Sequence, residues 1–186
     1  KAPLPPSAFP TVWNDHQRFE ESYWSQYPGF YLTGDGGYRD EDGYVFVMGR
    51  TDDVINVAGH RLSTGRIEEV VAEHSAIAEC AVVGIADAEK GQVPVGLLLM
   101  KDDVNLDPET LQAELVQAVR DAVGPIANFK RALVVARLPK TRSGKILRQV
   151  IRSMIDGEPY IVPSTIDDPA IVDELYETLS SQGWIK

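Results

Sequence analysis

AECAVVGIADAEKGQVPVGLLLMK, residues 78–101, decides the fold of this 186-residue chain. Two apolar runs, Ala78–Ile85 and Val93–Lys101, flank the polar segment Asp87–Gln92. Neither run reaches the ~18 residues of a membrane span. Val, Ile and Leu in runs of this length suit strands buried on both faces. The stretch therefore predicts a pair of buried strands. Cys80, the only cysteine, stands among apolar neighbours in the first run. It reads as a small core hydrophobe, rules out an internal disulfide and fits a reducing compartment.

Helix signals flank the pair. Upstream, a helix from Ser63/Thr64 to about His74 carries an apolar stripe of Ile67, Val70 and Val71, with Glu68 and Glu69 near its positive end. Downstream, Asp107-Pro108 forms an N-cap and first-turn pair for a helix with Leu111, Leu115, Ala118 and Ala122 on one face, ending at Gly124-Pro125. Ala132–Ala136 reads as a strand, PKTRSGK (139–145) as a loop, Ile146–Ile155 as a helix with Ile146, Val150 and Ile151 inward, and Ile171–Leu179 as a last helix. Before the pair, Val54–Val57 is a short strand and Ala58-Gly59-His60-Arg61 a polar loop. The expected fold class is α+β, a small sheet covered by helices.

Residues 1–50 are mostly β and too few for a core of their own. A short helix is expected after Asp15, with Phe19 and Tyr23 one turn apart. A strand is expected at Phe30–Thr33, turns at Gly34–Gly37 and Arg39–Gly43, and a strand at Tyr44–Met48. This segment reads as the end of a larger domain, with Arg50–Asp53 as the boundary. The start, KAPLPPSAFP, begins on Lys rather than Met. It lacks the apolar core of a signal peptide and the Arg/Ser richness of a transit peptide, and reads as an extended linker.

The 44% apolar and 25% charged residues are ordinary for a globular protein, and a net charge of −10 argues against bulk nucleic-acid binding. The charge is uneven: Lys130 to Arg152 holds eight Lys/Arg and no Asp/Glu, and Ser153 onward holds seven Asp/Glu and one Lys. A local positive field in an acidic chain suits a small anionic ligand. PKTRSGK lies within it and can be a solvated basic loop, a polyanion or membrane patch, a phosphate cradle, or the seat of one catalytic lysine. Other polar positions have equally ordinary readings. Asp35 can be a turn aspartate bonding its own backbone, and Arg50 can pair on the surface with Asp52 or Asp53. Arg120 can be a solvated cation near a helix C-terminus. No Cys/His spacing suggests a zinc site, and the three histidines are scattered.

YLTGD at 31–35, GRTDDVINVAGHR at 49–61 and PKTRSGK at 139–145, taken in order, resemble the C-terminal third of acyl-CoA synthetases, members of the acyl-adenylate-forming enzymes. The GHR ending, the GPIANFK segment and the tail IDDP resemble the short-chain branch, and within it propionyl-CoA synthetases, with acetyl-CoA synthetases as the alternative. The resemblance implies that residues 1–51 are the end of a large N-terminal adenylation domain. Residues 52–186 are then its mobile C-terminal domain. Its phosphate loop and acyl pocket would lie upstream.

The implied reaction joins a small carboxylic acid to coenzyme A through an acyl-adenylate. It consumes ATP with Mg²⁺ held mainly by the upstream domain, and it releases pyrophosphate and AMP. The resemblance makes Lys145 the adenylation lysine, helped by Lys140 and Arg142. It gives Asp35 the ribose hydroxyls, Arg50 and Arg61 the nucleotide or phosphate oxygens, Ala58 and Gly59 the pantetheine path, and Arg120 the 3′-phosphate of coenzyme A. Asp52 becomes the hinge, and His60 stays structural. An exposed Lys145 is also an expected target of a lysine acyltransferase and deacylase. Neither a nucleic-acid partner nor a membrane span is expected, the compartment being cytoplasm or mitochondrial matrix. As an isolated piece the chain is expected to be inactive, a binding or regulatory domain.

Overall fold

The structure, a computed structural model, describes residues 5–51, 53–104 and 106–186, with Met48 described by its backbone only. The chain divides into two compact units, Lys1–Asp52 and Asp53–Lys186. Asp52 lies outside the described residues.

In the first unit, Asp15 accepts a 3.1 Å hydrogen bond from the Arg18 amide and starts helix α1, His16–Tyr23. Phe19 is buried, with the rings of Phe9, His16 and Tyr23 around it. Strands β1 (Asp35–Arg39) and β2 (Val45–Arg50) form an antiparallel ribbon. This corrects two expectations. Phe30–Thr33 is irregular rather than a strand, and Gly36 and Gly37 lie inside β1 rather than in a turn. The glycines serve close approach: a Cβ on Gly37 would sit 2.6 Å from the Phe46 carbonyl oxygen. The pairing register shifts between Gly36 and Gly37, a bulge that a side chain would obstruct. Chain reversal falls to the acidic turn, where Asp40 Oδ1 accepts from the Tyr44 amide at 2.8 Å.

The second unit is built on the strand pair. β3 (Val54–Val57) and β4 (His60–Ser63) form a hairpin, followed by α2 (Thr64–Ala72). β5 (Ile77–Asp87) and β6 (Gly91–Met100) then pair antiparallel along nearly their whole length. α3 (Pro108–Ala122) is capped by Asp107, which accepts from the Thr110 amide, and ends before a tight turn at Pro125–Ala127. β7 (Arg131–Val134) joins β6 in parallel, and α4 (Arg148–Ile155) and α5 (Ala170–Ser181) complete the unit. The sheet order is β4-β3-β6-β5, with β7 also on β6.

Both faces of this sheet are covered, which is why β5 and β6 are apolar along most of their length. Ala81, Val83 and Ile85 of β5 face α4 and α5, packing with Ile151, Met154, Ile155 and Leu179. Cys80 and Val82 face α2 and α3, packing with Ile67, Val71, Leu111 and Leu115. Two details differ from the sequence reading. His60 and Arg61 are in a strand, because only Ala58 and Gly59 are needed to turn the β3–β4 hairpin. On α3, Val119 is buried and Ala122 exposed, the branched side chain removing more apolar area from water than alanine does.

Candidate functional site

PKTRSGK is a hairpin with a fixed base. Lys140 bridges to Ile146, the Thr141 amide donates to the Lys145 carbonyl at 2.9 Å, and the Leu147 amide to the Pro139 carbonyl at 2.9 Å. Thr141 Oγ1 accepts from the Lys145 amide at 3.1 Å, and Gly144 takes φ +81° to close the turn. On its outer side the hairpin is stitched to the tail, the Arg142 amide donating to Thr165 at 3.0 Å and the Asp167 amide to Lys140 at 2.9 Å. Arg142 to Lys145 stay exposed at the tip.

Four of the eight cations behind the positive field expected over 130–152 meet carboxylates within the fold. Arg137 pairs with Asp168 and Glu174, Lys140 with Glu79, Arg148 with Glu68, and Arg152 with Asp156. Arg131 lies over the Trp184 ring at 4.1 Å. Among the described residues, no carboxylate is placed against the Lys145 ammonium. The tail carboxylates that look remote in sequence fold back onto the basic run, so net attraction for an anion concentrates at the hairpin tip.

A second turn lies at the other end of the sheet. Ala58 (φ +49°) and Gly59 (φ +87°) join β3 to β4, both central residues at positive φ as in the tight turns that suit hairpin twist. The Ala58 amide donates to the Lys90 carbonyl at 2.8 Å, tying the tip to the β5–β6 connection. Lys90 Nζ in turn donates to Asn128 at 3.0 Å, just past the turn that ends α3. The C-terminal end of α3, where Arg120 is exposed, thus shares an end of the unit with Ala58, Gly59 and Arg61. Lys140 meets Glu79 near the start of β5, whereas Ala58 meets the connection that follows Asp87. Eight strand residues separate the two points, about 26 Å at ~3.3 Å per residue.

In the first unit, Asp35 and Arg50 are cross-strand partners, with Arg50 Nη1 3.6 Å from Asp35 Oδ1 and donating to the Thr33 carbonyl at 2.8 Å. Gly34 holds φ +77°, and a Cβ there would sit 2.6 Å from Arg50 Nη2. Glycine here lets the guanidinium fold over the backbone. The result is an exposed carboxylate beside a donor fork. Cys80 is the opposite case. Burial first, then the charges of Glu68 and Glu79, push its thiol up to about 11, which keeps it protonated and unreactive at neutral pH. Among the described residues no three His, Cys, Asp or Glu side chains come together as a metal group. These residues therefore do not fit a metal cage.

Sequence reasoning missed Glu79 and Glu68, the partners that hold the hairpin. The available signal is a carboxylate opening an apolar strand and another beside a helix's apolar stripe, neither of which is comfortable there unpaired.

Residues 66–145 match the family described as "AMP-binding enzyme C-terminal domain". Residues 66–145 are a domain of that family. A Pseudomonas aeruginosa protein described as uncharacterized is 60% identical over 95% of this chain and 28% of its own length. The mouse (Mus musculus) mitochondrial acyl-CoA synthetase short-chain family member 3 is 50% identical over 96% of this chain and 26% of its own. The solved acetoacetyl-CoA synthetase of Streptomyces lividans superposes with a TM-score of 0.76 at 25% identity, covering 93% of this chain and 26% of that one. The chain spans about a quarter of the length of these relatives. Among the described residues no helix is long and apolar enough to cross a membrane.

Proposed function

We propose that the chain is the C-terminal portion of an ATP-dependent short-chain acyl-CoA ligase, with propionate as its acid. The observation that carries this reading is Lys145, exposed at the tip of a braced hairpin with Lys140 and Arg148 already paired to carboxylates. A compact ammonium there can touch both an incoming carboxylate and an α-phosphate oxygen. In the first half-reaction a carboxylate oxygen attacks the α-phosphorus and pyrophosphate leaves. Lys145 offsets the negative charge that gathers on oxygen. In the second, the coenzyme A sulfur attacks the acyl carbonyl, and AMP leaves with the carboxylate oxygen.

Asp35 accepts the ribose hydroxyls, with Arg50 orienting it and reaching nucleotide oxygens. The Ala58–Gly59 turn borders the pantetheine arm, with Arg61 and Arg120 facing phosphate groups. Support comes from the shared end of the unit that carries these last four residues. The ~26 Å between this end and the Lys145 end fits a domain that presents one end in each half-reaction, with Asp52 as hinge. Mg²⁺ would arrive on the triphosphate and neutralise its charge. Exposure of Lys145 also suits reversible acylation, which would abolish its charge.

In a full-length ligase carrying this segment, Lys145→Ala should lower adenylate formation about 10²–10³-fold and leave thioester formation from supplied acyl-adenylate largely intact. Equal loss in both would refute the division of labour. Preference for acetate over propionate in kcat/KM would move the acid to the acetyl-CoA branch. Acyl-CoA made by the 186 residues alone would refute their proposed inactivity.

A further inference from the structure

The hairpin that carries Lys145 is gripped on both arms by carboxylates from other elements. We propose that Glu79 of β5 is a positioning residue for Lys145, acting through Lys140, with Glu68 of α2 bracing the opposite arm through Arg148. This inference rests on the ligase reading above.

Glu79 reaches Lys140 because of a bulge. In a regular strand Ile77 and Glu79 would share a face, yet the β5–β6 register shifts between them. Ile77 packs in the core against α2 and α3, whereas Ala81 and Val83 pack toward α4. The extra residue, Ala78, re-aims Glu79 to the hairpin's side of the sheet. There it accepts from Lys140 Nζ, both side chains being about a third exposed. On the other arm Arg148 meets Glu68 by two parallel bonds, Nε to Oε1 at 3.1 Å and Nη2 to Oε2 at 2.8 Å. Glu68 Oε1 also accepts from the Val82 amide at 2.8 Å, so the fork is referenced to β5, the end strand of the sheet. Lys140, the end of one strut, is bridged at the hairpin base to Ile146, two residues before Arg148.

A catalytic ammonium on a flexible stem gains most from a rigid base, since a misplacement of about 1 Å can cost on the order of a hundredfold in rate. Neither strut touches the Ala58–Gly59 end. Loosening them should therefore damage adenylate formation and spare thioester formation.

The test has two arms. In the 186-residue chain, Glu79→Gln should speed amide hydrogen exchange at Thr141, Arg142, Gly144 and Lys145 about fivefold or more, leaving the β5–β6 centre unchanged. In a full-length ligase, Glu79→Gln should lower propionate-dependent pyrophosphate exchange about tenfold. Thioester formation from propionyl-adenylate should stay within about twofold of wild type. Lys140→Met cuts the same pair from the other side and should give the same split. The charge swap Glu79→Lys with Lys140→Glu should restore both readouts. Unaltered hairpin exchange, parallel loss of both half-reactions, or a swap that restores nothing would each overturn the positioning role. A wild-type protein that makes no adenylate, despite a hairpin that loosens as expected, would overturn the ligase reading itself.

Discussion

Gly59 has two competing explanations, and a substitution series separates them. Its φ of +87° is strained for any L side chain, but an ideal Cβ there meets no atom within 4 Å. Stability should therefore depend on backbone conformation and hardly on size. Ala and Leu should each cost about 1–2 kcal/mol, and Asn, which tolerates the left-handed region, clearly less. For a unit the size of Asp53–Lys186, 1 kcal/mol corresponds to roughly 3–6 °C in Tm. Calorimetry should thus rank Gly above Asn, and Asn above an approximately equal Ala and Leu. Thioester formation should rank differently if the coenzyme A arm passes this turn. Asn, though well tolerated by the fold, should then lose about as much activity as Leu, while adenylate formation is spared. Activity that follows Tm, with Asn near wild type, would refute the pantetheine path and leave Gly59 as a residue of the turn alone.

Other outcomes follow from the same geometry. Arg120→Ala should raise KM for coenzyme A about tenfold and leave KM for dephospho-coenzyme A unchanged; equal shifts would remove the 3′-phosphate contact. Asp35→Asn should weaken ATP binding about tenfold, read by KM, with little change in Tm because its pair with Arg50 is exposed. The Cys80 thiol, raised to about 11 by burial, should react with iodoacetamide at pH 8 only after unfolding. Because its folded pKa lies above the unfolded one, the thiol's contribution to stability should be constant below about pH 9 and fall as pH rises toward 11. Labelling of the native chain at pH 8 would contradict that burial.

Element types were legible where the determining forces are local. The Asp15 and Asp107 caps, the α2 stripe of Ile67, Val70 and Val71, and the Val54–Val57 strand all lie where periodicity and capping place them. Reading failed where glycine serves a partner strand. Gly36 and Gly37 look like a turn until Phe46, on the partner strand, occupies the space of the Cβ that Gly37 lacks. His60 and Arg61 look like loop because polar residues are at home in the second strand of an exposed hairpin.

The candidate site divides along the same line. Sequence alone determined that 139–145 is a tight basic loop between a strand and a helix, that Asp35 follows a glycine, and that Gly59 stands at a reversal. Those are properties of a few consecutive residues. Only the tertiary structure decided which cations keep their charge available. Lys140 is neutralised from 61 residues away by Glu79, and Arg148 from 80 residues away by Glu68. Lys145, at the tip between them, is turned outward by hydrogen bonds that hold its backbone and leave its ammonium to the solvent side. Charge in a sequence is a sum over residues, whereas charge at a site depends on which opposite charges the fold brings within a few ångströms.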